Sequence, residues 1–459
     1  MLLVKNAHVV DAKTHTDATM DILIDQGRIQ KMEPDIQLDN CEKMLQNPES
    51  TQGRSVPEEA SVQEKSAQNG GEMEHAVTII DAKGNYVLPG LVDVHVHFRD
   101  PGFTYKEDIE TGAKAAAKGG ITSVVLMANT KPVVDNVETL KYVLTKGAET
   151  KIHVHTCAAI TKDLKGGELT NMPELLKEGA VGFTDDGIPI LDETLLRQAM
   201  AEAAKLQVPV SLHEENPKYI ENNGVNAGGV AATHFNIGGS DRMAEISMIE
   251  RDIQIALETG AVLNVQHIST KEGVELVRQG KKKGNNIHAE ATPHHFTLTE
   301  EAVVAHGTLA KMNPPLRTEE DRQAIIRGLK DGTIDLIATD HAPHSEEEKA
   351  KEITQAPSGI IGLETALPLA ITNLVREGHL TMEQLVDRMS YAPAMLYGLE
   401  AGFLEVGGPA DLVIVDDKKQ HTVGNYASKS CNSPFTGEQL YGTILYTIAG
   451  GEIAYEREE

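Results

Sequence analysis

Between residues 88 and 395 the sequence alternates between short apolar runs and longer amphipathic segments. The apolar runs are rich in β-branched residues, which favour strands. Eight of these runs occur, near 91–97, 121–127, 151–157, 180–185, 209–214, 262–268, 287–292 and 334–340. Most segments between them have helical periodicity, and continuous apolar strands that alternate with helices are typical of a parallel sheet covered on both faces. The sequence therefore predicts an α/β fold. Eight units favour a (β/α)8 TIM-type barrel, with a doubly wound open sheet as the alternative.

Polar residues are found at the ends of several of these predicted strands. In a parallel barrel the carboxyl ends of all strands meet at one rim, where the chemistry of such folds takes place. His95 and His97 lie two residues apart in the first strand, so their side chains point to the same face. The other candidates at strand ends are Asp185, Asp186, His213, His267 and Asp340. Four histidines on one rim, together with Asp340 and one carboxylate of the Asp185-Asp186 pair, suit two divalent ions of the zinc type.

Each of these candidates also has a structural interpretation when it stands alone. A second His-x-His pair, His153 and His155, occurs on the third strand, and we interpret it as structural. Asp185-Asp186-Gly187 is typical of a turn or a helix start, and a lone histidine at a strand end is more often a core residue than a ligand. The metal site is predicted from the joint occurrence of these residues at successive strand ends.

Three further residues are candidates for substrate contact. Arg99 lies two residues beyond His97 and can grip a carboxylate through two guanidinium nitrogens. Asn129 follows the second strand, and Asn313 lies in the Pro-stiffened loop between strands seven and eight. The alternatives are a structural ion pair for Arg99 and a turn-stabilising role for the two asparagines.

Composition argues against several classes of function. The 459-residue chain has 42 Lys and Arg against 69 Asp and Glu, a net charge of −27. A nucleic-acid surface or an anionic membrane partner needs clustered cations, so neither is expected. Three widely separated cysteines predict no disulfide framework and favour a reducing cytoplasm. We also expect no signal peptide and no membrane span.

Both ends of the chain carry β patterns. Apolar stretches at Leu2 to Val10, Asp21 to Asp25 and Arg28 to Met32 predict strands, with a Gln26-Gly27 turn in a hairpin. Stretches of the same character occur at 76–81, 411–416, 443–449 and 452–455. We therefore predict one small β-sandwich domain that is formed from both chain ends.

The predicted domain boundaries follow from these patterns. The β domain comprises residues 1–37, 76–87 and 396–459, and the barrel comprises 88–395. Residues 38–75 are polar, contain no aromatic residue and show no clear period. Such a composition predicts a disordered insertion, with a partner-binding or regulatory loop as the alternative.

Eight short motifs lie along the chain in order. They are His-Val-His-Phe-Arg-Asp-Pro-Gly, Met-Ala-Asn-Thr-Lys-Pro, Phe-Thr-Asp-Asp-Gly, His-Glu-Glu, Gln-His-Ile-Ser-Thr, Thr-Pro-His-His, Lys-Met-Asn-Pro-Pro-Leu-Arg and Ala-Thr-Asp-His-Ala-Pro-His. Together they closely resemble bacterial class I dihydroorotase of the amidohydrolase superfamily, over essentially the whole chain except about 38–75. The resemblance implies a cyclic amide hydrolase of de novo pyrimidine (UMP) biosynthesis. It would interconvert (S)-dihydroorotate and N-carbamoyl-L-aspartate by means of a metal-bridged hydroxide.

The resemblance also implies roles for individual residues. His95, His97 and Asp340 would bind one metal ion, His213 and His267 a second, and Asp186 would bridge the two; Zn²⁺ is the expected metal. Asp340 would in addition be the general base. The expected substrate contacts are His97, Arg99, Asn129, Asn313, His344, Ser358 and Gly359. A homodimer and an association with aspartate transcarbamoylase are expectations from the family.

Three departures from the family pattern bear on affinity more than on reaction type. Asp100 stands where glutamate is common, Ala128 where proline is common, and Ser358 where a phenylalanine usually forms a wall near the substrate ring. His344 to Ile360 is predicted to be a loop near the mouth of the site, a mobile lid being one interpretation; its Glu/Lys-rich part has a surface helix as the alternative.

Two alternative functions remain at this point. Allantoinases, hydantoinases and dihydropyrimidinases share the chemistry, but they usually bridge their metals with a lysine on strand four, and residues 180–186 contain none. A non-catalytic subunit that scaffolds aspartate transcarbamoylase is the alternative from a different class, and it predicts that ligand positions are missing.

Overall fold

The computed structural model describes residues 1–37 and 77–458 of the chain. The segment 38–75, for which the sequence predicts a disordered insertion, lies outside these described residues. Among the helices that the model describes, none is both long and apolar enough to cross a membrane.

The described residues contain fifteen strands. In chain order they are β1 Leu2–Asp11, β2 Thr16–Asp25, β3 Arg28–Glu33, β4 Thr78–Asp81, β5 Tyr86–Pro89, β6 Leu91–Val96, β7 Ile121–Leu126, β8 His153–Thr156, β9 Pro209–Leu212, β10 Val262–Val265, β11 Ile287–Ala291, β12 Leu336–Ile337, β13 Leu412–Thr422, β14 Gln439–Ala449 and β15 Glu452–Glu456. Strands β6 to β12 belong to the barrel, and the others form one sheet beside it.

The barrel closes through single bridges between two parallel ladders. One ladder is β6-β7-β8, and the other is β9-β10-β11-β12. Phe183 is bridged to Ala158 on one side and to Val210 on the other, so the segment around Phe183 takes the place of a fourth strand. Val96 is bridged to His341, which joins the first and last strands. The predicted (β/α)8 barrel is therefore confirmed, because an open sheet would leave those two strands unpaired.

Helices cover the barrel between its strands. They are α1 Ile109–Lys118, α2 Val137–Ala148, α3 Met172–Lys177, α4 Glu193–Leu206, α5 Val230–Phe235, α6 Met243–Thr259, α7 Lys271–Lys281, α8 Pro293–Thr297, α9 Glu301–His306, α10 Glu319–Asp331, α11 Glu346–Lys349, α12 Ala366–Ala370, α13 Met382–Val386 and α14 Ala392–Leu396. Capping carboxylates set some of the starts: Asp108 accepts from Thr111 N before α1, and Asp192 accepts from Leu195 N before α4.

The β domain is formed from both ends of the chain, as predicted. Its strands lie in the order β15-β14-β13-β5-β1-β2-β3, with β4 paired to β1. The predicted hairpin turn at Gln26-Gly27 joins β2 to β3, and both residues have positive φ values, of 49° and 72°. Buried side chains from the two ends form a separate apolar core, for example Val4, Ile22 and Ile414.

Polar contacts join the β domain to the barrel. They also join the amino-terminal part of the β domain to its carboxyl-terminal part. At the amino end of β8, His153 Nε2 lies 3.0 Å from Asp411 Oδ1, so this histidine has the structural role that we assigned to its pair. In the β domain, the fully buried Asp11 accepts hydrogen bonds from Thr14 N and from Leu404 N, both at 2.7 Å. Asp11 thus fixes the start of the chain to the segment that follows the barrel.

We expect Asp11→Ala to lower the free energy of unfolding by about 2 kcal/mol, because the Leu404 N–H would stay buried without an acceptor. Asp17→Ala is the matched control: Asp17 lies on the adjacent strand and pairs with His8, but its side chain is 70% exposed. Urea unfolding followed by circular dichroism measures both changes. Equal effects of the two substitutions would contradict this role for Asp11.

Candidate active site

The six predicted metal ligands lie together at the carboxyl ends of the barrel strands, and all six are buried. They converge because barrel closure brings together strands that are far apart in sequence. Two groups of three have ligand atoms within 4.8 Å of one another and could each hold a metal ion. The groups are His95, His97 and Asp340, and His95, Asp186 and His267.

The first group is built around one carboxylate oxygen. Asp340 Oδ1 lies 3.0 Å from His97 Nε2 and 3.5 Å from His95 Nε2. No group in the described ranges forms a hydrogen bond with His95 Nε2, although this nitrogen is buried. Buried polar atoms are normally satisfied, so the unpartnered nitrogen indicates a ligand position.

The second group is centred on Asp186. Its Oδ1 lies 3.4 Å from His95 Nε2, 3.8 Å from His213 Nδ1 and 4.0 Å from His267 Nε2. Its Oδ2 lies 3.5 Å from His97 Nε2. Asp186 therefore faces all four histidines, which is the placement that a bridging carboxylate needs.

Burial and neighbouring charges act in opposite directions on Asp186. Burial disfavours the ionised carboxylate, but His95 and His97 outweigh it and hold the pKa of Asp186 well below its usual range. Burial lowers the pKa of His267 well below that of a free imidazole, and nearby His213 and His95 lower it further. Such a site favours an ionised aspartate beside a neutral imidazole, the forms that bind metal.

Asp185 and Asp186 are adjacent but have different environments. The Asp185 carboxylate accepts hydrogen bonds from Ile160 N at 2.8 Å and Thr161 N at 3.0 Å, and burial raises its pKa to about 6. Asp185 therefore ties the segment that takes the place of the fourth strand to residues 160 and 161, while Asp186 faces the histidines.

The outer ring nitrogens of three ligand histidines are also occupied. His97 Nδ1 lies 2.9 Å from Asn129 Oδ1, and Asn129 Nδ2 donates to Asp186 Oδ2 at 2.9 Å. His213 Nε2 lies 3.1 Å from Glu215 Oε2. Sequence reasoning did not select Glu215, although its place two residues after His213 was a usable signal. The third outer contact, from His95, reaches across the barrel interior.

The backbone at the rim is in an uncommon conformation at three of the predicted residues. Arg99, His267 and Asp340 have φ values of 60°, 30° and 49°. Non-glycine residues in this region cost about 1–3 kcal/mol each and occur mainly where the surrounding structure fixes a functional geometry. The site therefore rests on a backbone that local sequence preference would not choose.

The predicted substrate contacts surround the same rim. A small cavity of about 10 Å³, lined in part by His97, Arg99 and Asn129, lies beside the first ligand group. Arg99 Nε donates a hydrogen bond to Pro343 O at 3.3 Å. The two terminal nitrogens of the Arg99 guanidinium take no part in that bond. Within residues 1–37 and 77–458, Asn313 Oδ1 is buried and has no hydrogen-bond partner.

His344, Ser358 and Gly359 form one contact cluster. His344 Nε2 donates to Ser358 O at 2.8 Å. A side chain at position 359 would meet Ala342 Cβ at 2.6 Å and His344 Nε2 at 3.2 Å, and Gly359 has a φ of 122°. Only glycine fits at this close approach.

Two buried lysines hold the segment 353–359 in place. Lys311 Nζ donates to Ile353 O and Ala356 O, both at 2.7 Å. Lys349 Nζ donates to Pro357 O at 3.0 Å and to Gly359 O at 2.9 Å. The predicted loop thus begins with the short helix α11 and is then held by the side chains of the two lysines. The structure gives the Glu/Lys-rich part the helical conformation that was the alternative.

Comparison with known proteins agrees with this architecture. Residues 86–454 match the model of the Amidohydrolase family. A dihydroorotase of Clostridioides difficile (strain 630) is 50% identical over 455 residues, 99% of this chain and 100% of that protein. A dihydroorotase of Clostridium acetobutylicum is 45% identical over 458 residues, with the same coverage.

Solved structures show the same fold. The L-hydantoinase (dihydropyrimidinase) of Arthrobacter aurescens has a TM-score of 0.81 and 26% identity, covering 100% of this chain and 96% of that one. The D-hydantoinase (dihydropyrimidinase) of Thermus sp. has a TM-score of 0.79 and covers 100% of this chain and 97% of that one. At 23% identity, this second likeness is evidence for the fold alone.

Stability should depend on pH through Lys349. Burial, together with the charge of nearby Lys311, lowers the pKa of Lys349 to about 7, while Glu348 opposes the shift. A lysine in the unfolded chain titrates near pH 10.4, so between these values the unfolded chain binds more protons and stability rises with pH. Relative to Lys349→Met, the wild-type protein should gain about 2 kcal/mol in the free energy of unfolding between pH 7 and pH 9.

Urea unfolding of both proteins at the two pH values measures this difference. Lys114→Met is the control, because the Lys114 side chain is 63% exposed and pairs with Glu110 on the surface of α1. The stability difference between wild type and this control should stay constant with pH. A constant difference for Lys349→Met as well would contradict the lowered pKa.

Proposed function

The chain belongs to the amidohydrolase family and, within it, to the dihydroorotases, and we propose that the rim residues described above carry out its reaction. The enzyme is a cyclic amide hydrolase that interconverts (S)-dihydroorotate and N-carbamoyl-L-aspartate in pyrimidine biosynthesis. The observation that carries the site assignment is the convergence of six buried histidine and aspartate side chains on one rim.

The donor set fits a pair of divalent metal ions, Zn²⁺ being the metal we propose. Imidazole nitrogen and carboxylate oxygen are zinc ligands, and the unpartnered His95 Nε2 points into the first group. His95, His97 and Asp340 would hold one ion, His213 and His267 the other, and Asp186 both. When bound, the two ions supply a water of lowered pKa and polarise the carbonyl under attack.

Asp340 is the proposed general base and acid. Its carboxylate lies within the ligand group, 3.0 Å from His97 Nε2, where it can accept the proton of the attacking water. Oxygen then bonds to C4 of dihydroorotate, the bond from C4 to the ring nitrogen breaks, and Asp340 returns the proton to that nitrogen. In the biosynthetic direction the same steps run in reverse and close the ring.

Arg99 and Asn129 would orient the substrate before attack. A guanidinium binds a carboxylate through two parallel hydrogen bonds, and Arg99 lies two residues beyond His97 at the same rim, where its Nε contacts Pro343 O. Asn313, His344 and the backbone at Ser358-Gly359 would contact the ring from the other side. Holding both reactants in place removes much of the entropic part of the barrier.

A hydantoinase activity is the second candidate, because the solved structures reported above are hydantoinases. The aspartate at position 186 argues against it, since those relatives usually have a lysine as the bridge. A purely structural subunit would have lost ligands, whereas all six positions here hold metal-binding side chains. A homodimer, an association with aspartate transcarbamoylase and a cytoplasmic location stay predictions from the sequence.

Assays on dihydroorotate, hydantoin and allantoin, with metal analysis of the same sample, test this function. We expect turnover of dihydroorotate, little or none of the other two substrates, and about two metal ions per chain. Treatment with a chelator should abolish turnover, and added Zn²⁺ should restore it. A metal-free protein without activity that still binds aspartate transcarbamoylase would reverse the conclusion.

Asp340→Asn should lower turnover of dihydroorotate by roughly 10²- to 10⁴-fold, because an amide cannot take the proton from water. Circular dichroism should show the fold nearly unchanged. Asp335→Asn is the control: Asp335 lies just before β12, at the other end of the same strand, and pairs with Lys281. Near-normal turnover by Asp340→Asn would rule out the general-base assignment.

A further inference from the structure

A chain of buried polar side chains crosses the barrel interior from the first metal ligand. His95 Nδ1 lies 2.5 Å from Glu290 Oε1, and Asn264 Nδ2 donates to Glu290 Oε2 at 2.9 Å. Asn264 Nδ2 also lies 2.9 Å from Ser211 Oγ, which is 2.7 Å from the Tyr397 hydroxyl. The side chains of His95 and Glu290 are completely inaccessible to solvent.

The contacts of Glu290 fix the orientation of the His95 ring. Both carboxylate oxygens are occupied, because Oε1 also accepts from His267 N at 3.3 Å. In the neutral, metal-binding form of the ring, Glu290 as acceptor places the imidazole proton on His95 Nδ1, and the lone pair of Nε2 then faces Asp186 and Asp340. This tautomer leaves the buried and unpartnered Nε2 free to bind a metal ion.

A buried carboxylate at this position lowers the stability of the fold, so its presence needs an explanation. The Glu290 carboxyl group lies buried inside a barrel whose rim already contains Asp186 and Asp340, and no lysine or arginine of the described residues forms an ion pair with it. An apolar residue of similar size would avoid this desolvation penalty. The cost is therefore explained by an effect on the adjacent ligand.

We propose that Glu290 is a positioning residue of the metal centre and that it acts by holding the His95 ring. Asn264 holds the carboxylate, and the carboxylate holds His95 in the Nδ1–H tautomer and strengthens electron donation by Nε2. This inference rests on the proposed metal centre. Loss of such outer hydrogen bonds typically weakens metal binding by 10- to 100-fold.

Glu290→Gln tests the contribution of the charge. The amide oxygen can still accept from His95 Nδ1, but the amide nitrogen would face the nitrogen of Asn264, donor against donor. The double variant Glu290→Gln/Asn264→Asp restores a donor-acceptor pair there and moves the negative charge one residue away from His95. The two variants therefore separate the loss of charge from the loss of packing.

Zinc affinity of the metal-free proteins, measured by competition with a chromogenic chelator, is the main readout. We expect the tighter dissociation constant to rise 10- to 100-fold in Glu290→Gln. It should stay raised in the double variant, while the thermal midpoint of the metal-free double variant returns toward that of wild type. Wild-type zinc affinity in either variant would overturn the proposal.

Asp411→Asn is the matched control. Asp411 is also a buried carboxylate that faces a histidine, His153, but it lies at the other end of the barrel. This variant should bind zinc as tightly as wild type does. Equal weakening by Asp411→Asn would mean that Glu290 acts only through general stability, which also overturns the proposal.

A measurement on the wild-type protein does not depend on the folding of a Glu290 variant. In ¹⁵N-histidine NMR spectra of the wild-type protein, His95 should carry its proton on Nδ1, with the resonance assigned by its loss in His95→Asn. A proton on Nε2 would overturn the proposal. Failure of the wild-type protein to bind zinc at all would instead overturn the metal centre, so the two failures are distinguishable.

Discussion

Closure of the barrel between its first and last strands is the constraint on which the site depends. The bridge from Val96 to His341 brings His97 and Asp340, 243 residues apart in the chain, to a separation of 3.0 Å between Nε2 and Oδ1. The bridges of Phe183 bring Asp186 to the same rim from the strand position between the two ladders. Without closure these side chains would lie on two separate sheet edges, and no metal ion could contact both sets.

Burying so many ionisable groups together is unfavourable unless each finds a partner. The imidazoles around Asp186 stabilise its buried carboxylate. Glu215 and Glu290 form hydrogen bonds with His213 and His95 on the side of each ring that faces away from the ligand groups. Asn129 contacts both His97 and Asp186 and so couples the two ligand groups. The polar interior is therefore organised in two layers, with the inner ligands held by an outer set of acceptors.

The fold and the inner layer could be predicted from sequence because their signals are local. β-Branched runs predict strands, and polar residues at strand ends predict the rim, as at His213 and His267. The outer layer could not be predicted in the same way. Glu290 lies in a strand whose sequence does not indicate that His95, 195 residues earlier, will lie against it. The same limit applies to Lys311 and Lys349, whose acceptors are backbone carbonyls that any sequence would supply.

The mixed origin of the β sheet has a consequence for synthesis on the ribosome. Strand β5 pairs with β13 through Val87 and Ile414. The whole barrel is therefore synthesised after β5 and before its partner β13. At typical elongation rates of about 5–20 residues per second, β5 waits roughly 20 to 60 s for its partner. During that interval the early strands present an unpaired edge, which is the kind of surface that other chains can join. If the early strands pair before synthesis is complete, the free edge of β5 stays open to other chains until β13 has been made.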